Sequence, residues 1–289
     1  MIHINSFGII GGDKRQIALV ESISEDGYDV YVAGFEKINF YNGIIKATVN
    51  DVILNSDYII LPLPVTKDYI TLNAPFSETK IILNDQIAEK MKGKKVYCGM
   101  ASKLYQTSEI WEEIELYDYF EREEYMVKNA VPTAEGAIEI AMREYYGTIN
   151  GSKCLVAGFG RIGKVLSGML KGLGAKVTVS ARKPKDLAWI ESLGYQAVKT
   201  SKISETKGYD LIFNTIPAMT FDAHTLALSA EDSLIIDLAS APGGVDFQAA
   251  QRMGIKSIQA LSLPGKVAPK AAGEITKFTI YNMIEEDNE

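Results

Sequence analysis

The chain has 289 residues, 47% of them hydrophobic and 23% charged, with a formal net charge of −7. That length predicts two domains with substantial cores, and the acid excess argues against a nucleic-acid-binding stripe. Two cysteines, Cys98 and Cys154, exclude a disulfide scaffold, and two histidines, His3 and His224, exclude a histidine-rich metal site.

The chain opens on a short strand, Phe7-Gly8-Ile9-Ile10, followed by Gly11-Gly12-Asp13-Lys14-Arg15. No basic segment precedes it and no apolar run reaches the roughly 18 residues of a membrane span, so a cytoplasmic protein is expected. Ile17, Val20 and Ile23 have helical spacing from Gln16 to Ile23, and Gly27 stops that helix. Tyr28–Ala33 is a second strand. Tyr58-Ile59-Ile60-Leu61-Pro62-Leu63-Pro64 is a near-continuous apolar run closed by prolines, the pattern of a central parallel strand with a turn at its carboxyl end. Lys80–Leu83, Lys95–Cys98 and Glu115–Tyr119 read as further short strands. The alternation suggests an α/β unit over 1–128.

Thr133, after Pro132, is expected as the N-cap of a helix whose apolar stripe is Ile138, Ala141, Met142 and Tyr145, with Glu135 in its first turn. This linking helix is assigned to 129–148. The second unit, 149–264, begins with the strand Cys154–Ala157, then Gly158-Phe159-Gly160-Arg161-Ile162-Gly163 and a helical pattern from Val165. Strands at Val177–Ser180, Asp210–Asn214, Ser233–Asp237 and Ile255–Ala260, with a helix at Leu187–Leu193, complete a doubly wound sheet. Residues 265–289 read as a return helix packing on the first unit. The fold class expected is α/β, with two Rossmann-like doubly wound parallel-sheet domains joined by two helical crossings.

A glycine fingerprint between a strand and a helix predicts a dinucleotide site. Gly158 permits the turn, Gly160 gives the pyrophosphate room, and Gly163 lets the helix pack closely. The flanking Phe159, Arg161 and Ile162 belong to the same loop. Ser180, Arg182 and Lys183 stand at the end of the next strand, where an NAD site usually carries a carboxylate. A hydroxyl with cations suits a 2′-phosphate, so NADP is expected ahead of NAD. Thr215 and Pro217 are expected along the nicotinamide side; Asn214 contacts it or holds the loop.

Several stretches together resemble the family of bacterial dipicolinate synthase A subunits. They are Gly11–Gln16, Ile60–Pro64, Pro132–Gly136, Gly158–Gly163, Ser180–Arg182, Asn214–Pro217, Asp237–Phe247 and Leu263–Gly273. Lys266 departs from the apolar residue expected there. The resemblance implies oxidation of a dihydrodipicolinate-level lysine-pathway intermediate to pyridine-2,6-dicarboxylate, with NADP as acceptor. It also implies a partner, the flavoprotein-like B subunit, together with an oligomer and the mother cell of a sporulating bacterium. The alternatives are another two-domain dehydrogenase of small acids, or a non-catalytic nucleotide-binding scaffold subunit.

Aromatising the ring removes a hydride and a proton, and a dicarboxylate needs cations or N–H donors to hold it. Lys270, at the start of the return helix and expected near a cleft between the domains, is the leading clamp. Arg15 and Lys266 are alternatives, although Arg15 also reads as a surface helix charge. Thr133 and Glu135 are candidates to position or deprotonate the substrate; Glu135 alternatively only stabilises its helix N-terminus. The Ser240-Ala241-Pro242-Gly243-Gly244 turn offers a hydroxyl and free N–H groups. His224 and His3 are weak bases, and Cys98 reads as a buried filler.

Overall fold

The computed structural model describes residues 6–41, 43–228 and 232–289. His3 lies outside them. The chain divides into two compact units: unit 1 is Met1–Asn129 with Ala268–Glu289, and unit 2 is Ala130–Val267.

Unit 1 is built on β1 (Ser6–Ile10), α1 (Lys14–Glu25), β2 (Asp29–Ala33), β3 (Ile44–Lys46), α2 (Val49–Asn55), β4 (Tyr58–Ile60), α3 (Asp85–Met91), β5 (Lys95–Cys98), α4 (Ala101–Leu104) and β6 (Glu115–Asp118). The sheet is wholly parallel, with order β3-β2-β1-β4-β5-β6. Every residue of β1 is buried, as a central strand covered on both faces requires. Asp13 caps α1: its side chain accepts from Arg15 N, and the Gln16 side chain returns to the Asp13 N–H, a reciprocal capping box. The β4 strand is shorter than its apolar run. Pairing persists to the bond from Leu61 N to Tyr97 O, and the cis Leu63–Pro64 bond then turns the chain away.

Lys80–Leu83 is not a strand. Only Ile82 bridges, to Thr71, while Ile81 and Leu83 are buried as part of a loop. Three consecutive apolar residues fit loop burial as well as a strand, and periodicity cannot separate the two.

The linking helix also differs from expectation. Helix α5 runs Glu123–Glu144 with Pro132 inside it. Thr133 is therefore a buried mid-helix residue and not an N-cap, and Glu135 is exposed well beyond the first turn. An internal proline removes one backbone bond and crowds the preceding turn. The helix persists because apolar residues continue on both sides: Tyr125 and Ala130 before it, Ala134, Ala137, Ile138 and Ala141 after it, all buried.

Unit 2 continues with β7 (Lys153–Ala157), α6 (Arg161–Gly172), β8 (Lys176–Ala181), α7 (Pro184–Ser192), β9 (Gln196–Lys199), β10 (Leu211–Asn214), α8 (Ala223–Leu226), β11 (Leu234–Asp237), α9 (Phe247–Arg252), β12 (Lys256–Gln259) and α10 (Leu263–Val267). Its sheet is again wholly parallel, in the order β9-β8-β7-β10-β11-β12. The two units thus share one topology, strand for strand, with the order reversing beside β1 and β7. In such sheets that reversal is where ligands bind, outside the carboxyl ends of the strands.

The chain returns to unit 1 as α11 (Pro269–Asp287), with Pro269 in its first turn, where a missing N–H costs nothing. It packs along α1. A Cβ at Gly273 would lie 2.7 Å from Arg15 O and 2.9 Å from Leu19 N, so only glycine allows this approach. No helix among the described residues is long and apolar enough to cross a membrane.

Candidate active site

In unit 2 the glycine loop follows β7 directly. Gly158 has φ +103°, and a Cβ there would sit 2.4 Å from Thr215 Oγ1. A Cβ at Gly163 would lie 2.1 Å from Gly158 O. Gly160, the N-cap of α6, makes no side-chain cap, and a Cβ there would meet nothing within 4 Å. Gly158 therefore lets the turn fit against the Thr215 side chain, and Gly163 lets the helix pack on the loop backbone. The third leaves open space at an uncapped helix N-terminus, which is what a pyrophosphate requires.

The neighbouring side chains hold the loop's shape. Ser180 is fully buried, and its Oγ accepts from Gly158 N at 3.2 Å and from Thr200 Oγ1 at 3.4 Å. Thr215 Oγ1 donates to Ala157 O at 2.8 Å. Asn214, also fully buried, donates to Asp237 Oδ1 at 2.8 Å and to Ile216 O at 3.0 Å, so it fixes the turn after β10.

Beside the loop is a cavity of about 590 Å³ lined by Arg182, Lys199, Thr200, Ser201, Met219 and Thr220. It lies at the ends of β8 and β9 and along the segment after β10. Lys199 was not anticipated from the sequence because β9 itself, a short half-exposed strand, carried no clear pattern. Lys183 is exposed at the N-cap of α7, and Pro217 is exposed after β10. This donor set fits a dinucleotide coenzyme. Gly160 and the α6 N-terminus would hold its pyrophosphate, and Arg182 with Lys199 would face its adenosine end.

The Ser240 turn is less open than expected. Asp237 accepts from Ala239 N at 3.1 Å and Gly244 N at 3.1 Å, and Gly243 N donates to Ser240 O at 2.9 Å. These N–H groups are already engaged, although Ser240 itself is exposed. Lys266 is exposed in the last turn of α10.

In unit 1 the corresponding crevice is occupied by an ion pair. Arg15 is 8% exposed, so it is not a surface charge. Its Nε donates to Asp13 Oδ1 at 2.9 Å, and its Nη2 donates to Asp13 Oδ2 at 2.8 Å and to Leu63 O. Burial alone would raise the Asp13 carboxyl; the hydrogen bonds and charge of Arg15 outweigh it and hold it below the usual carboxylate range. Tyr119 OH donates to Leu61 O at 3.1 Å, so the β4 turn is held by two buried side chains. At the end of β5, Met100 takes the left-handed conformation at φ +67°. Asp118 accepts from Met100 N at 3.2 Å and Ala101 N at 2.7 Å and so supports that conformation.

Lys270 is exposed in the first turn of α11, whose N-cap, Ala268, offers no side-chain cap. His224 is exposed on a four-residue helix. Cys98 is fully buried, and burial pushes its thiol up, away from nucleophilic use.

Comparison with known proteins agrees with this architecture. Residues 6–120 match the family described as the N-terminal domain of the dipicolinate synthase A subunit. Residues 125–246 match that described as D-isomer specific 2-hydroxyacid dehydrogenase, NAD binding domain. The dipicolinate synthase A subunit of Bacillus subtilis (strain 168) is 33% identical over 282 residues, covering 96% of this chain and 95% of that protein. The crystal structure of the dipicolinate synthase A subunit from Bacillus halodurans superposes with a TM-score of 0.87 at 34% identity, covering 96% of this chain and 97% of that one. The crystal structure of its counterpart from Bacillus subtilis gives 0.88 at 31% identity, covering 99% and 97%.

Proposed function

The chain belongs to the family of dipicolinate synthase A subunits, and from that membership we propose how its two units divide the reaction. It is an NAD(P)-dependent dehydrogenase subunit that forms dipicolinate from a dihydrodipicolinate-level intermediate. Unit 2 holds the coenzyme. The observation that carries this is the Gly160 cradle: open space at an uncapped helix N-terminus, beside a cavity bearing two cations.

NADP is the preferred coenzyme in this reading. Arg182 and Lys199 line the adenosine end, and no carboxylate is among the described residues lining that cavity. A 2′-phosphate would gain charge-assisted bonds there, whereas the ribose hydroxyls of NAD would find no anionic acceptor. Ser180 acts indirectly, because its hydroxyl faces Gly158 N.

A bound coenzyme would supply the acceptor for the hydride whose loss, with a proton, leaves the pyridine aromatic. The chain's own task is to orient a dicarboxylate and take up that proton. Lys270 is our candidate to bind a substrate carboxylate: an exposed ammonium in the first turn of an uncapped 19-residue helix adds its charge to the helix N-terminal field. Arg15 is a positioning residue, tying α1 to the Leu63 turn. Thr133 and Glu135 are the candidates to position or deprotonate the substrate, and Ser240 offers it a hydroxyl. A flavoprotein-like B subunit is the proposed partner, in the cytoplasm of a sporulating mother cell.

The test is a direct assay. Purified chain, NADP and the enzymatically generated intermediate are combined with and without the partner, and pyridine-dicarboxylate is followed. Coenzyme-dependent product is expected, together with NADPH. In parallel, Lys270→Ala should lower kcat/KM about 10- to 150-fold, the loss of one charge-assisted bond, with coenzyme affinity unchanged. Product formation independent of coenzyme would overturn the reading, and wild-type kinetics for Lys270→Ala would remove the lysine from it.

A further inference from the structure

The shared topology gives unit 1 a second cavity at the position of the coenzyme's adenosine end. It measures about 510 Å³ and is lined by Gly34, Phe35, Glu36, Lys46, Thr48 and Ile81, among others. The cavity in unit 2 is formed by the ends of β8 and β9 and by the segment after β10. This one is formed by the ends of β2 and β3 and by the segment after β4, which supplies Ser77, Thr79 and Ile81. Each set takes the same places in the same strand order.

Two differences define its chemistry. The first is Glu36, which stands just past the end of β2, where unit 2 carries Arg182 and Lys183. Its Oε1 accepts from Gly34 N at 3.2 Å and its Oε2 from Glu78 N at 3.0 Å. The Ser77 side chain, which lines the same cavity, also bonds this carboxylate, and a ribose hydroxyl would take the place of that hydroxyl as donor. Burial would raise this carboxyl, but the backbone bonds and the Ser77 side chain outweigh it and hold it below the ordinary range, so it is ionised and oriented at neutral pH. A carboxylate at the end of the second strand is the acceptor that ribose hydroxyls require.

The second difference lies at the helix N-terminus. Asp13 occupies the N-cap position of α1, as Gly160 does in α6, each the third residue after its strand. The Asp13 carboxylate takes the Arg15 N–H and pairs with the Arg15 guanidinium, so the cap position where a phosphate would go is already filled. The outer half of a nucleotide site is thus present, and the phosphate half is closed.

We propose that this groove binds a nucleoside: a ribose held by Glu36, a flat base against the apolar wall of Phe35, Val49 and Ile81, and no phosphate. Asp13 closes the helix N-terminus to a 5′-phosphate; Lys46 ends β3 as Lys199 ends β9 and also lines the groove, so selection against a 2′-phosphate rests on Glu36. This site is separate from the coenzyme site and does not depend on the identity of the dehydrogenase substrate.

The probe is adenosine, titrated by equilibrium dialysis into the full chain saturated with NADP, so that unit 2 is filled. A parallel coenzyme titration records that saturation. One adenosine per chain is expected under these conditions, with AMP at least tenfold weaker. Glu36→Gln should weaken adenosine at least tenfold, and Thr79→Trp, which fills the groove from its exposed rim, should abolish binding. Both variants should keep the coenzyme Kd within twofold, which shows that each has folded. Loss of all adenosine binding on coenzyme saturation would overturn the proposal, and so would wild-type adenosine affinity in both variants.

Discussion

The two units use one strand order and differ most at one helix N-terminus. In unit 2 the N-cap is Gly160, without a side chain, and the position three residues on is Gly163. In unit 1 the same two positions are Asp13 and Gln16, which close on each other as a capping box. Two helix N-termini in the same topological place therefore differ: one is open and the other is capped by its own carboxylate. The fold creates a site at the strand-order reversal, and two side chains decide whether a phosphate can use it.

The largest effect should come from removing the unit 1 anion. Asp13→Ala deletes a helix cap, worth about 1 kcal/mol, and the charge-assisted bonds to a buried guanidinium, worth about 1.5–3. Chemical denaturation should register a loss of roughly 2–4 kcal/mol. The same pair makes stability depend on acid. The folded carboxyl titrates below its unfolded value, so its contribution is complete above the unfolded pKa of about 3.9 and is lost as pH falls through the folded one. The acid limb of a stability–pH profile should flatten in Asp13→Asn.

Next in size is coenzyme selectivity. Arg182→Ala should weaken NADP by about 1.5–3 kcal/mol, roughly 10- to 150-fold, and NAD by less than twofold, as read by calorimetry with each coenzyme. Lys199→Ala should act in the same direction. Equal losses for both coenzymes would detach the cavity from the 2′-phosphate.

Gly163→Ala separates packing from ligand space. Its Cβ would lie 2.1 Å from a backbone oxygen that has little freedom to move, so thermal unfolding should register a loss of about 1–3 kcal/mol. The smallest expected change is for Ser180→Ala, which removes one hydroxyl bond to Gly158 N. Coenzyme affinity should fall by about 1 kcal/mol for NAD and NADP alike, because the serine shapes the loop without touching the phosphate.

The sequence made unit 2 more legible than unit 1 for the same reason that they differ in function. A glycine fingerprint between a buried strand and a helix has a local physical meaning, and β7, α6, β8, β10 and β11 lie close to where the pattern puts them. Unit 1 has no such marker. Its α2 and α3 have seven residues each and β3 has three, too short for periodicity to declare. Arg15 reads from the sequence either as a substrate clamp or as a surface helix charge; that it is buried follows from α11 packing over α1, which local pattern does not encode. Thr133 misled because serine or threonine beside proline is a helix-start signal, and tertiary packing carried α5 through it. Two of the N–H groups expected in the Ser240 turn are engaged: Gly243 N by Ser240 O, and Gly244 N by Asp237, counted as the end of a strand, which turns its carboxylate back into that turn.

The central claim is that one of two equivalent helix N-termini, α6 and not α1, receives the coenzyme. Calorimetric stoichiometry of NADP on wild type and Gly160→Val tests it most directly. A Cβ at Gly160 would meet nothing within 4 Å in the folded chain, so the branched side chain points into ligand space and the thermal midpoint should fall only by the small cost of a poorer N-cap. The account predicts one NADP per chain for wild type and none for Gly160→Val. Two per chain, or undiminished binding in a folded Gly160→Val, would contradict it.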